Sequence, residues 1–78
     1  MMTVYVLQKR YPTPEAPTVE VFWKLDDALD SMRTDANNLR KVPGPPRTLK
    51  FIRDGRAVHI SEQGRMIAFY EVITSQVQ

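Results

Sequence analysis

Seventy-eight residues, a formal net charge of +2 and no cysteine admit one small domain and exclude disulfides, thiolate metal sites and cysteine nucleophiles. A hydrophobic fraction of 42% and a charged fraction of 26% are ordinary for a folded chain and argue against global disorder. The missing disulfides favour a reducing cytoplasm, Met1–Gln8 lacks the cationic start and long apolar run of a signal peptide, and Met66–Tyr70 is too short to span a bilayer, so the expected location is cytoplasmic with no membrane partner.

Thr3-Val4-Tyr5-Val6-Leu7 is β-branched and aromatic and predicts a strand over residues 3–9. Pro12, Pro14 and Pro17 supply no ladder donors, so Tyr11–Pro17 reads as a loop. Residues 18–23 read as a second strand, antiparallel to the first. Val19, Val21 and Trp23 share one parity, and Glu20 and Phe22 the other.

The period then changes. Leu25, Ala28, Leu29, Met32, Ala36 and Leu39 form one face of a helix over 25–40. Asp26, Asp27 and Asp30 near its start and Arg40 and Lys41 at its end suit the macrodipole. Pro43 stops it, and Pro43-Gly44-Pro45-Pro46 makes a stiff connector.

Residues 48–53 and 56–61 flank Asp54-Gly55, a two-residue hairpin signal. Pairing outward from that turn sets Phe51 against Val58 and Leu49 against Ile60 on one face, with Lys50 against His59 and Thr48 against Ser61 on the other. After the turn Glu62-Gln63-Gly64 comes a last strand, 65–73, and residues 74–78 read as a frayed tail.

The chain therefore reads as one α+β domain over 1–78. It has a mostly antiparallel sheet of about five strands, one helix packed on one face, and the order β-β-α-β-β-β. The expected core is Val4 or Tyr5, Val6, Val19, Val21, Leu25, Leu29, Met32, Leu49, Phe51, Val58, Ile60 and alternate residues of Met66–Ile73. A single helix leaves the second face of the sheet uncovered, and function is expected there.

Thr3-Val4-Tyr5-Val6-Leu7, followed by Val21-Phe22-Trp23-Lys24-Leu25-Asp26-Asp27-Ala28-Leu29, resembles small accessory proteins of phages and prophages. In these, a strand beginning near "VYVV" precedes a second strand and a helix opening like "F-x-S-x-E-E-A". Phe22 and Asp26-Asp27-Ala28 match that opening, with Asp in place of Glu. The family's capping serine falls at Lys24, which cannot cap. The resemblance covers the first half of the chain. It implies a protein that binds a host protein directly and inhibits or modulates it, defence-system components included.

Candidate chemistry is sparse. His59 is the only histidine and has no fixed orienting acceptor or nucleophile, so it reads as an ordinary strand histidine. The aspartates at the helix start are explained by the dipole rather than by a divalent cation. Gly44, Gly55 and Gly64 are separate turn glycines, not a phosphate cradle, and the two P-x-x-P stretches read as connectors. The expectation is no enzyme, no metal and no cofactor.

Charge is uneven. Met1–Met32 carries a balance of −2, Arg33–Arg56 of +5 and the rest of −1. Trp23, Ile52, Ala57 and Tyr70, with Phe22 as the alternative to Trp23, are expected to form an exposed apolar strip. Lys50, Arg53, Arg56 and Arg47 supply a basic rim. Aromatics and arginine dominate protein interfaces, so the candidate partner-binding residues are Trp23, Tyr70, Arg53, Arg56, Lys50 and Arg47. Self-association as a homodimer through sheet faces or edges is the simplest use of such a strip. The alternative is a nucleic-acid-binding module using Arg40, Lys41, Arg47, Lys50, Arg53 and Arg56. The outward side of the hairpin carries Lys50, Ile52, Ala57 and His59 without an aromatic, so stacking on bases requires Phe22 or Tyr70 from a neighbouring strand.

Overall fold

The computed structural model describes residues Met1–Val77; Gln78, the end of the expected tail, lies outside the described residues. The elements are β1 (Met2–Arg10), β2 (Thr18–Phe22), α1 (Leu25–Arg40), β3 (Arg47–Ile52), β4 (Ala57–Glu62) and β5 (Arg65–Val77). The expected α+β fold is correct: one helix packs on a five-stranded sheet of strand order β2-β1-β5-β4-β3, and every neighbouring pair is antiparallel. No helix is long and apolar enough to cross a membrane among the described residues.

α1 occupies the span its periodicity indicates and buries Ala28, Met32 and Ala36 completely. Lys24 has extended backbone and no side-chain cap bond, so Asp26 and Asp27 in the first turn carry the electrostatic part of capping. The small Ala28 and Ala36 let the helix approach the sheet closely, and Met32 between them joins Leu7, Val58, Ile60 and Tyr70 in one buried cluster.

The β3–β4 register agrees residue for residue with the hydrophobic pairing, from Thr48 opposite Ser61 to Phe51 opposite Val58. The turn itself differs. The strands stop at Ile52 and Ala57, and Arg53, Asp54 and Gly55 all have positive φ, at 54°, 56° and 81°. Arg53 and Asp54 are the central residues of a type I′ geometry, closed by the Gly55 amide donating to the Ile52 carbonyl. Arg53 and Arg56 therefore lie in a four-residue loop, not as the last opposed pair of the ladder.

Three further expectations are corrected. Thr74–Val77 is not a frayed tail but the second half of β5, paired with Met2–Tyr5 of β1. Val19 and Val21 are exposed rather than core, and Phe51, on the outermost strand, is also largely exposed. Val6 is only half-buried, whereas Leu7 is fully buried against the helix.

The apolar run Met66–Tyr70 has a local cause. Ser61 pairs with Met66 but Ile60 pairs with Ala68, so Ile67 is an extra residue and the β4–β5 register shifts there. Ile67 and Ala68 both serve the helix-side core, and alternation resumes with Tyr70 and Val72 inward and Phe69 and Glu71 outward. The bulge accounts for the adjacent Ile67 and Ala68, while Phe69 continues the run on the open face.

Candidate functional site

Two regions gather side chains that the core does not account for: the uncovered face of the sheet and a cleft beside the helix C-terminus.

The uncovered face follows from the registers. Val21, Val6 and Ile73 lie abreast across β2, β1 and β5. One row away stand Val19, Gln8, Glu71, Ala57 and Ile52, and beyond them Arg10, Phe69, His59 and Lys50. The face is thus divided. Its β2 corner is apolar, with Val21, Val19 and Ile73 exposing 64, 52 and 40% of their surface, and Trp23, 70% exposed, directly follows β2 at this corner. Its opposite corner is cationic and aromatic.

At that cationic corner the Phe69 ring is 4.6 Å from the His59 ring, tilted by 41°, and the Arg53 guanidinium lies 5.9 Å from its centroid. Arg53 also donates to the Glu71 carboxylate at 2.6 Å, and Arg10 lies 4.0 Å from the other oxygen. This short, charge-assisted bond offsets the unfavourable left-handed backbone at Arg53 and aims its guanidinium over the sheet. Glu71 is the only charged residue in the buried class among those described, yet it sits on the open face under this cationic cover.

The predicted site residues are dispersed by this arrangement. Trp23 lies on the β2 corner, exposed. Lys50 and Arg53 border the cationic corner, and Arg56 is exposed in the adjacent loop. Tyr70 is a correction: it points to the helix side, is 3% exposed and belongs to the core. Phe22 also packs on that core. Arg47 is a second correction, because it is tied down, donating to Glu62 at 3.2 Å and to the Leu39 carbonyl at 2.8 Å across the helix end. Ala57 is fully buried despite its outward parity, and Ile52 is half-buried. Arg40 and Lys41 stay at the helix end, so the basic middle of the sequence does not assemble into one patch. The alternation within β2 taken alone turns its valines inward and so hides the apolar corner, and the bulge hides the parity of Phe69.

The second region is an open cleft of about 310 Å³ lined by Lys9, Asp35, Asn38, Leu39, Val42 and Tyr70. Lys9 pairs with Asp35 on the helix and with Glu20 at 3.2 Å on β2, and its ammonium lies 5.8 Å from the Tyr70 ring centroid. Burial alone would lower the Lys9 pKa, but hydrogen bonds and charge from Asp35 and Glu20 outweigh it and hold the ammonium above its ordinary value. Burial, then the Tyr11 hydroxyl 3.4 Å away, then the Asp35 charge push the Tyr70 phenol up as well. A firmly protonated amine and phenol serve neither as nucleophile nor as base at neutral pH. Lys9 ties β1, β2 and α1 together, and Tyr70 links β5 to the loop after β1 through Tyr11.

Both groups have folded pKa values above their free ones, so their stabilisation is complete below about pH 10 and lost as pH rises through the folded values. The melting temperature is expected to hold from pH 7 to 9 and fall steeply between pH 10 and 12. Tyr70→Phe should flatten part of that fall; thermal melts followed by circular dichroism at each pH check both points.

Among the described residues, no three carboxylates or imidazoles gather in metal-binding proximity. Compared with protein-family models, curated proteins and solved structures, the chain matches none.

Proposed function

We propose that the chain is a non-catalytic, protein-binding module that engages its partner through the uncovered face of the sheet. The observation that carries this reading is the exposed apolar corner formed by Trp23, Val21, Val19 and Ile73 on a regular, rigid ladder. Apolar surface continuous over adjacent strands is the kind of surface that partners cover. The cationic rim of Arg10, Lys50, Arg53 and Arg56 favours a partner that sets an acidic flank beside an apolar ridge. The resemblance to phage accessory proteins suggests a narrower form, in which the partner is a host protein and binding occludes its working surface. A cytoplasmic setting fits that form.

The test is affinity capture with three baits: the wild type, Trp23→Ala with Val21→Asp, and Arg53→Ala with Arg56→Ala. A stoichiometric partner is expected with the wild type, at least tenfold less with the apolar variant, and an intermediate amount with the arginine variant. Equal recovery by all three baits would refute this surface assignment.

A second reading draws support from Phe69, an aromatic ring on the open face flanked by His59, Arg53 and Arg10. This supplies the ring that the hairpin alone lacks, and with it a platform for stacking single-stranded bases. Four cations contacting phosphates predict affinity falling roughly 50-fold between 50 and 200 mM salt. No shift of a labelled oligonucleotide at low salt removes this reading.

A further inference from the structure

We infer that two copies of this chain associate through the free edges of their β2 strands, antiparallel, with Val21 on the two-fold axis. The inference deepens the binding-surface reading and rests on it, since the contact enlarges the same apolar corner.

β2 closes one side of the sheet, and among the described residues only β1 and α1 pack against it. Half of its backbone donors and acceptors therefore face outward. Edge strands are normally blunted by lysine, proline, bulges or inward charge. The other edge, β3, carries the exposed Lys50 and the cationic Arg53–Arg56 loop at its end. Thr18–Phe22 has one of these, the helix-side Glu20, whose charge Lys9 neutralises within the same copy; the strand has no lysine, its pairing with β1 is regular, and its prolines stop at Pro17. A regular five-residue ladder edge whose one inward charge is already neutralised is a template for another strand.

The side chains select the strand and the register. An antiparallel pair of identical strands needs a two-fold axis perpendicular to the sheet, so one residue must meet itself. With Glu20 on the axis, two carboxylates oppose each other, which is destabilising. With Val21 on the axis, Val21 meets Val21 and Val19 meets Trp23 on the open face, while Glu20 meets Phe22 on the helix side. Lys24, just past the strand where the chain bends into the helix, falls opposite Thr18 and diagonal to Glu20 of the second copy. On the open face that register joins apolar to apolar, and on the helix side it sets acid diagonal to base. It unites the two exposed valine–tryptophan corners into one surface across a ten-stranded sheet. The open faces stay on the same side, so the surface offered to a further partner doubles.

The chain's freedom from cysteine makes the register directly readable. Residues meeting on a two-fold in an antiparallel ladder have Cα atoms about 4.5–5.5 Å apart, within the span a disulfide requires. Oxidised Val21→Cys is expected to run as a covalent dimer, whereas Val19→Cys and Glu20→Cys stay monomeric. The mass of the wild type by sedimentation or light scattering should approach twice the monomer as concentration rises to hundreds of micromolar. Val21→Lys should abolish that rise while keeping the wild-type circular dichroism spectrum. A wild type that remains monomeric throughout, or equal cross-linking at all three cysteines, overturns the inference. If the wild type is monomeric yet capture of an outside partner still depends on Trp23 and Val21, the dimer fails and the binding surface stands. If Val21→Cys cross-links but capture ignores these residues, the dimer stands and the surface assignment fails.

Discussion

Met32→Ala is expected to lower the melting temperature by at least about 10 °C and to leave a measurable unfolded fraction at room temperature. Met32 is wholly inaccessible, lies one turn from both Ala28 and Ala36 on the buried helix face, and belongs to the same core cluster as Leu7, Val58 and Ile60. Deleting a buried side chain of this size costs about 2–5 kcal/mol through lost transfer energy and the cavity left behind. A chain of this length has a total stability of a few to about 10 kcal/mol, so one residue commands a large share of it. In a domain this small each kcal/mol is worth roughly 4–8 °C. Neighbouring alanines cannot swing in to refill the space, which argues for the upper half of that range. Thermal and urea denaturation of the variant beside Met32→Leu checks the claim. The leucine variant preserves most of the volume and should lose less than about 1.5 kcal/mol. Equal losses from the two would show that the site is not tightly packed.

Removing residues 74–78 is expected to destabilise the domain by about 2–4 kcal/mol, through backbone hydrogen bonds worth about 1 kcal/mol each and renewed exposure of Val4. A frayed tail would change stability by less than about 0.5 kcal/mol. Thr74–Val77 pairs with Met2–Tyr5, and Val4, opposite Ser75, is buried on the face away from the helix. Truncation strips the N-terminal half of β1 of its partner on that side, since β2 reaches only as far as Tyr5. Urea denaturation of the truncated chain, with hydrogen exchange at Val4 and Tyr5, separates the two outcomes. Persistent protection, after truncation, of whichever of these two amides faces β5 would contradict the strand pairing.

Both effects bear on function through rigidity. The open face can present Trp23, Val21 and Ile73 in a constant pattern only if β1 and β5 stay paired behind them. The helix supplies that support from the opposite face through Leu7 and Val72, which lie abreast and share the core cluster with Met32. Lys9, bound to Asp35 and Glu20, pins β2 to the helix. Loss of that pin above pH 10 is expected to loosen the proposed interface before the domain as a whole melts.

Local patterns by themselves determined the element order, the span of the helix and the register of the β3–β4 hairpin. Each of these rests on neighbours in the chain: the 3.6-residue spacing from Leu25 to Leu39, the dipole-suited charges at its ends, and apolar residues equidistant from Asp54-Gly55. What they left undecided is which way a strand turns once it joins the sheet. β2 alternates valine against Glu20 and Phe22, and alone it favours valines inward. Tertiary structure reversed it, because Phe22 must enter the core at the start of the helix and Glu20 reaches Lys9 on the helix side. That reversal creates the exposed apolar corner, so the proposed site itself was not legible in one strand's pattern. The bulge at Ile67 likewise depends on pairing with β4, and the ordering of Thr74–Val77 on pairing with β1, residues distant in sequence. Alternation states that two faces differ; only the partner strands and the single helix decide which face meets water.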